Sequence, residues 1–151
     1  MAYDSKKDTL KHIYRVRLFL NSVTRQLKNR AQYHDASKLD SPEKEAFDEW
    51  APKLSSVTYG SEEYRNMLRQ MKPAIDHHQK HNRHHPEHFG DCGIACMNLI
   101  DLIEMICDWK AATMRHKDGD IIRNLKINAK RFNMPPILVS LLENTISYMK
   151  W

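Results

Sequence analysis

The chain has 151 residues, 41% hydrophobic and 28% charged, with a formal net charge of +5, which suits a soluble globular domain able to bury its core without covalent staples. The positive balance favours anionic partners, and without an arginine-rich tail or zinc-finger spacing a small phosphorylated molecule is expected before nucleic acid. Three cysteines, Cys92, Cys96 and Cys107, form neither a disulfide framework nor a zinc ribbon, so free thiols in a reducing compartment are expected.

Four glycines and no sustained Val/Ile/Thr alternation argue against a substantial sheet. Leu10, Ile13, Val16, Leu20, Val23 and Leu27 recur at helical spacing, predicting a first helix from about Asp8 to Asn29 capped by Ser5 or Asp8. His12 shares a face with Val16 and Leu20 and is expected to look inward or toward a cleft. A short second helix from about Ala31 holds His34 and Asp35. Ser41-Pro42-Glu43 begins another, to about Trp50, and residues 52–60 read as a loop. Ser61 caps a helix carrying Tyr64, Met67, Leu68 and Met71, which Pro73 kinks or restarts, with Ile75 and His78 continuing its apolar face. A histidine-rich stretch from His81 to Gly90 reads as a functional loop. A long central helix is predicted from about Gly93 to His116, broken at Lys117-Asp118-Gly119-Asp120. Helices over about Ile121–Asn133 and Ile137–Met149 flank Met134-Pro135-Pro136. The expected fold is all-α, one compact helical bundle of about six to seven helices over the whole chain.

Three segments carry chemistry. In the central helix, Asp101, Glu104 and Asp108 line one stripe amid Met97, Leu99, Ile100, Leu102, Ile103, Met105, Ile106 and Trp109. A helix apolar almost all round is buried, and buried carboxylates need a cation or a basic partner such as Arg115 for Asp108. His34-Asp35 can serve one cation only where the backbone bends, and Lys38, one turn on, could reach a bound phosphate. Six of the nine histidines lie between His77 and His88, where they can act as ligands, acids or phosphate donors. Neutral imidazole with carboxylate is the donor set of a borderline or hard divalent cation.

The order His12, His34-Asp35-Ala36-Ser37-Lys38, Ile75 to Gln79 and Ile106-Cys107-Asp108-Trp109-Lys110-Ala111-Ala112 resembles the motifs of the HD-domain metal-dependent phosphohydrolases, across about Asp8 to His116. The likeness extends to small, phage-encoded members. It implies His12, His34, Asp35 and Asp108 as metal ligands. Two-metal members often place a histidine between the positions of His34 and His77; this chain has none there, so a second ion would draw on His77 or His78 and on His84 or His85. His78, continuing an apolar face, is added to the ligand candidates. Gln79 stands where some relatives have Glu.

The expected activity is hydrolysis of a phosphoester or anhydride in a nucleotide or related small molecule, of nucleotidase, dNTPase or cyclic-nucleotide phosphodiesterase type. It would use one or two divalent ions per chain (Mn, Co, Mg, Ni, Zn or Fe). Lys38, His77, His84, His85 and Arg115 are the candidates for substrate binding, and Lys38, Glu104 and Asp101 for catalysis or proton transfer. The alternatives are a diiron oxygenase on the same scaffold and a non-catalytic nucleotide or nucleic-acid binder. A homo-oligomer is compatible with the sequence. With no signal-peptide pattern and with charges in the longest apolar run, the expected location is cytoplasmic, in a cell or an infected host.

Overall fold

A computed structural model describes residues 3–57, 61–115 and 119–151. Among the described residues the regular structure is all helical: seven α-helices and two 3₁₀ segments. The chain divides into two compact units, Met1–His34 and Asp35–Trp151.

The first unit is a single helix, α1, over Lys6–Tyr33. It absorbs the short helix expected from Ala31, because nothing between Asn29 and Tyr33 breaks helical geometry; His34 is its C-cap. No α1 residue is buried. Leu10, Ile13, Val16, Leu20 and Val23 keep their helical spacing but are exposed, since a lone helix offers its stripe no partner inside its own unit. His12 is therefore exposed, not inward, and lines a shallow groove with Ile13, Val16, Arg17, Leu20 and Asn21.

The second unit starts with Asp35 in the left-handed region at φ 56°, which the short polar Asp side chain tolerates. A 3₁₀ turn over Ala36–Leu39 leads to α2, Glu43–Ser56. This helix runs through Pro52, where a loop was expected; the neighbouring turns hold the backbone although Pro52 donates no N–H. Residues 58–60 of that expected loop lie outside the described residues.

Ser61 caps α3, Glu62–Gln70, its hydroxyl accepting from the Tyr64 N–H at 3.0 Å. Met71 joins α3 to α4, Lys72–His81, with Pro73 in the first turn as expected.

The histidine-rich stretch and the segment after it depart from expectation. Pro86–Cys96 forms a second 3₁₀ segment, broken at Gly90 (φ 57°) and Gly93 (φ 48°). Positive φ at Gly93 prevents a helix from starting there. The central helix, α5, begins instead at Leu99 and ends at Thr113. Its start is fixed by a capping box: the Asn98 side chain accepts from the Asp101 N–H, and the Asp101 carboxylate accepts from the Asn98 N–H. Cys92 and Cys96, expected as free thiols, are joined in a disulfide with Cα atoms 5.6 Å apart, because the broken 3₁₀ path brings the two side chains together. Cys107 is a free thiol, exposed on α5. His116 and the Lys117-Asp118 break lie outside the described residues.

Asp120 caps α6, Ile121–Arg131, accepting from the N–H groups of Ile122 and Arg123, and α7 spans Pro136–Met149. The main core joins α5, α6 and α7 with the second 3₁₀ segment through Ile94, Met105, Ile106, Ile121, Leu125, Met134, Leu142 and Ile146. The other end of the unit packs α2 and α4 against each other and against the first 3₁₀ turn. Among the described residues no helix is long and apolar enough to cross a membrane.

Leu125 has no solvent exposure whereas Leu99 is 74% exposed. Leu125→Ala is expected to cost about 2–5 kcal/mol and Leu99→Ala less than about 0.5 kcal/mol, measured by denaturant unfolding; equal costs would contradict this core.

Candidate metal centre

Four side chains of the second unit converge. Asp35, His78, His84 and His85 offer ligand atoms all within 4.8 Å of one another. The left-handed backbone at Asp35 turns its carboxylate into the group. His78 comes from the last turns of α4, and His84 and His85 from the short connection to the second 3₁₀ segment. His78 and His84 are buried, and Asp35 and His85 are partly exposed, so the cluster has one side nearer solvent.

Carboxylates set the histidine tautomers. Glu43, in the first turn of α2, has no solvent exposure. Its Oε2 accepts from His78 Nδ1 at 2.8 Å and from the Ser37 hydroxyl at 3.0 Å; its Oε1 accepts from His77 Nδ1 at 2.8 Å. Asn82 completes the network, its amide donating to Ser37 Oγ and to the His78 carbonyl, each at 2.8 Å. A carboxylate only accepts, so His78 Nδ1 carries a proton, and when the ring is neutral its lone pair is on Nε2. His84 also has a carboxylate beside it, with Nδ1 3.3 Å from Glu104 Oε1, an ion-pair distance.

The two Nε2 atoms then meet the same oxygen. Asp35 Oδ1 lies 3.3 Å from His78 Nε2 and 3.4 Å from His84 Nε2, and His85 Nε2 lies 2.9 Å from His78 Nε2. Ligands about 2.0–2.2 Å from one ion, at tetrahedral to octahedral angles, stand about 2.8–3.6 Å apart. The spacing fits a coordination shell. A carboxylate holding the far nitrogen of a ligand imidazole is also how proteins orient metal-binding histidines. The group could hold a metal ion.

The remaining candidates fall around this cluster in specific places. Lys38 Nζ donates to Asp35 Oδ2 at 2.6 Å, leaving Oδ1 turned to the imidazoles. It also lies 5.2 Å from the Phe47 ring centroid. Asp101, a candidate for accepting a proton or for supporting a ligand from behind, takes a bidentate pair from Arg83, at 3.2 Å from Nε and 3.0 Å from Nη2, with no exposure of its own. Its role is to tie the residue before His84 to the start of α5. Glu104 Oε1 stands 3.3 Å from His84 Nδ1. Asp108, one turn further, offers an oxygen within 4.8 Å of a His84 nitrogen. Arg115, expected near phosphate, is exposed just beyond the Met114 C-cap of α5. His77 faces Glu43. His12 and His34 belong to the first unit, whereas Asp35, His78, His84 and His85 all come from the second.

Glu43 and Ser37 were not among the residues expected from the sequence. A signal existed for Glu43: it precedes Phe47 by four residues and Trp50 by seven, which puts it on the apolar stripe of α2.

Electrostatics in the cluster are set by burial and by near neighbours. Burial alone would raise the Glu43 pKa, but the hydrogen bonds from His77, Ser37 and His78 and the charge of His78 outweigh it and hold the carboxyl below its ordinary value. His85 is pushed down to about 3, first by burial and then by His84 and His78, against the opposing pull of Asp108 and Asp35. Imidazoles that stay neutral are competent ligands.

The model of the DUF5662 family, described as a family of unknown function, matches residues 1–148, and the chain belongs to that family. No curated protein and no solved structure matches it.

Two outcomes are expected. Unfolded His85 takes a proton near 6.5 and folded His85 only near about 3, so the unfolded chain binds more protons in between. The stability of the metal-free protein should fall as pH drops from about 6.5 toward 3, with Glu43 adding a loss at the acid end. His85→Asn should flatten the part above the carboxylate range in thermal unfolding tracked against pH; an unchanged slope would contradict the assignment. Glu43→Gln should lower metal affinity by about 10–100-fold, read by competition with a chromophoric chelator, while an unchanged affinity would remove Glu43 from the site.

Proposed function

We propose that this member of the DUF5662 family is a metal-dependent phosphohydrolase acting on a nucleotide or a related small phosphoester. One observation carries the reading: three imidazoles converge on Asp35, and two of them are held by the largely buried carboxylates of Glu43 and Glu104. The order of the sequence motifs, which resembles that of the HD-domain phosphohydrolases, supports it independently.

Asp35, His78, His84 and His85 would hold the ion, with Asp108 close enough to His84 to join them. Nitrogen-rich donors of this kind favour Mn, Fe, Co, Ni or Zn over Mg. A divalent ion bound there supplies a Lewis acid and a water acidic enough to act as a nucleophile near neutral pH.

The protein's own groups do the rest. Glu43 accepts from His78 Nδ1 and Glu104 faces His84 Nδ1, so each neutral ring can offer Nε2 before substrate arrives. Lys38 holds Asp35 through one oxygen and brings an ammonium to the edge of the cluster, where it can balance phosphate oxygens. The partly exposed side, at Asp35, Lys38 and His85, is the approach for a small anion. Arg83 and Asp101 act as positioning residues, anchoring the connection that carries His84 and His85 to α5.

The test is phosphate release from nucleoside mono- and triphosphates and cyclic dinucleotides, with each of Mn, Fe, Co, Ni, Zn and Mg in turn. Turnover is expected with at least one transition ion and should fall to background in Asp35→Ala and His85→Ala, whose helix content by circular dichroism stays near wild type. No release with any metal would overturn the proposal. Oxygen uptake by the iron-loaded protein without phosphate release would replace it with an oxygenase.

A further inference from the structure

Two histidines of α4 lie outside the inner cluster. His77 and His81 are one helical turn apart, and their rings stack with centroids 4.0 Å apart and planes inclined by 28°. The His77 side chain is 34% exposed, and His81 is exposed.

Both tautomers are determined by partners that can only accept. His77 Nδ1 gives its proton to Glu43 Oε1 at 2.8 Å, and His81 Nδ1 gives its proton to the His77 carbonyl at 2.7 Å. When neutral, each ring therefore keeps its lone pair on Nε2, the distal nitrogen. In the stacked arrangement the two in-plane Nε2 lone pairs run side by side, and a rotation of the exposed His81 ring that opens the stack lets two imidazoles four residues apart on one helix face converge on one ion.

We infer that His77 and His81 form a second, weaker site for a borderline divalent transition ion such as Ni, Cu or Zn. The inner group holds His78; this outer pair reaches solvent on the same helix. Glu43 stands between them, one carboxylate oxygen on His77 and the other on His78. It orients an outer ligand in the same way that it orients an inner one. The outer site is the weaker because it has two protein ligands, is open to water, and has the exposed Lys80 beside it in the chain. Ions late in the first transition row bind two nitrogens best, and Mg should not bind at all. The assignment does not depend on which reaction the inner group supports.

The experiment is isothermal titration of the untagged full chain with Ni, comparing wild type, His81→Ala and His85→Ala. Two binding events are expected for wild type. His81→Ala, which leaves Glu43 and its hydrogen bonds untouched, should lose the weaker event and retain the tighter one. His85→Ala should weaken or abolish the tighter event and retain the weaker. Persistence of both events in His81→Ala would overturn the outer site, as would a single wild-type event removed by His85→Ala. A single event removed by His81→Ala would uphold the outer site and count against the inner one.

Discussion

The second unit is organised around one buried charge. A carboxylate with no solvent contact is costly unless its oxygens are satisfied, and Glu43 meets that condition with three side-chain donors, His77, His78 and Ser37. Those donors come from α4 and from the 3₁₀ turn after Asp35, so satisfying the charge also fixes how these elements meet α2. The same bonds place His78 Nε2 toward Asp35, 3.3 Å from Oδ1, as the accepting nitrogen of the neutral ring. Fold and site are thus constrained together: removing the carboxylate would loosen the packing and the histidine tautomer at once.

The acidic stripe of α5 divides its labour by depth. Asp101, without exposure, closes the capping box that starts the helix and clamps Arg83. Glu104, one turn on, reaches His84. Asp108, half-buried another turn on, lies close to His84 and favours the protonated form of His85 against burial. One periodic feature serves as a cap, as a carboxylate beside His84 and as a local counter-charge. Arg83 carries the link further, with its guanidinium 4.9 Å from the Phe89 ring centroid. The short connection bearing His84 and His85 is therefore anchored immediately before its first histidine.

Much of this architecture is legible in the residues alone, and the exceptions have physical reasons. Helical periodicity and cap residues place α3, α4, α6 and α7 well, because Ser61, Pro73, Asp120 and Pro136 are strong local signals. The start of α5 lies several residues beyond its expected position. Asn98 with Asp101 is a capping pair, but Asp101 also fits the buried stripe, and the positive φ at Gly93 depends on tertiary context. The Cys92–Cys96 bridge cannot be read from spacing alone, since a four-residue separation closes only when the backbone departs from a regular helix. His12 was expected to look inward or toward a cleft because a stripe normally faces a partner; α1 forms a unit of its own and buries none of its residues, and His12 lines a shallow groove on it. Asp35, His78, His84 and His85 all stand among the residues that the sequence singles out. Their partner Glu43 does not, because a glutamate after proline at a helix start is ordinarily a solvated dipole partner.

The central claim is that His78, His84, His85 and Asp35 converge as one ion's ligands, and X-ray absorption of the metal-loaded protein tests it most directly. The predicted spectrum of the tightly bound ion shows nitrogen and oxygen neighbours at about 2.0–2.2 Å with the outer-shell scattering of about three imidazoles, reduced when His85 is replaced by Ala. A first shell of oxygen alone, without imidazole scattering, or a spectrum unaffected by His85→Ala, would contradict it.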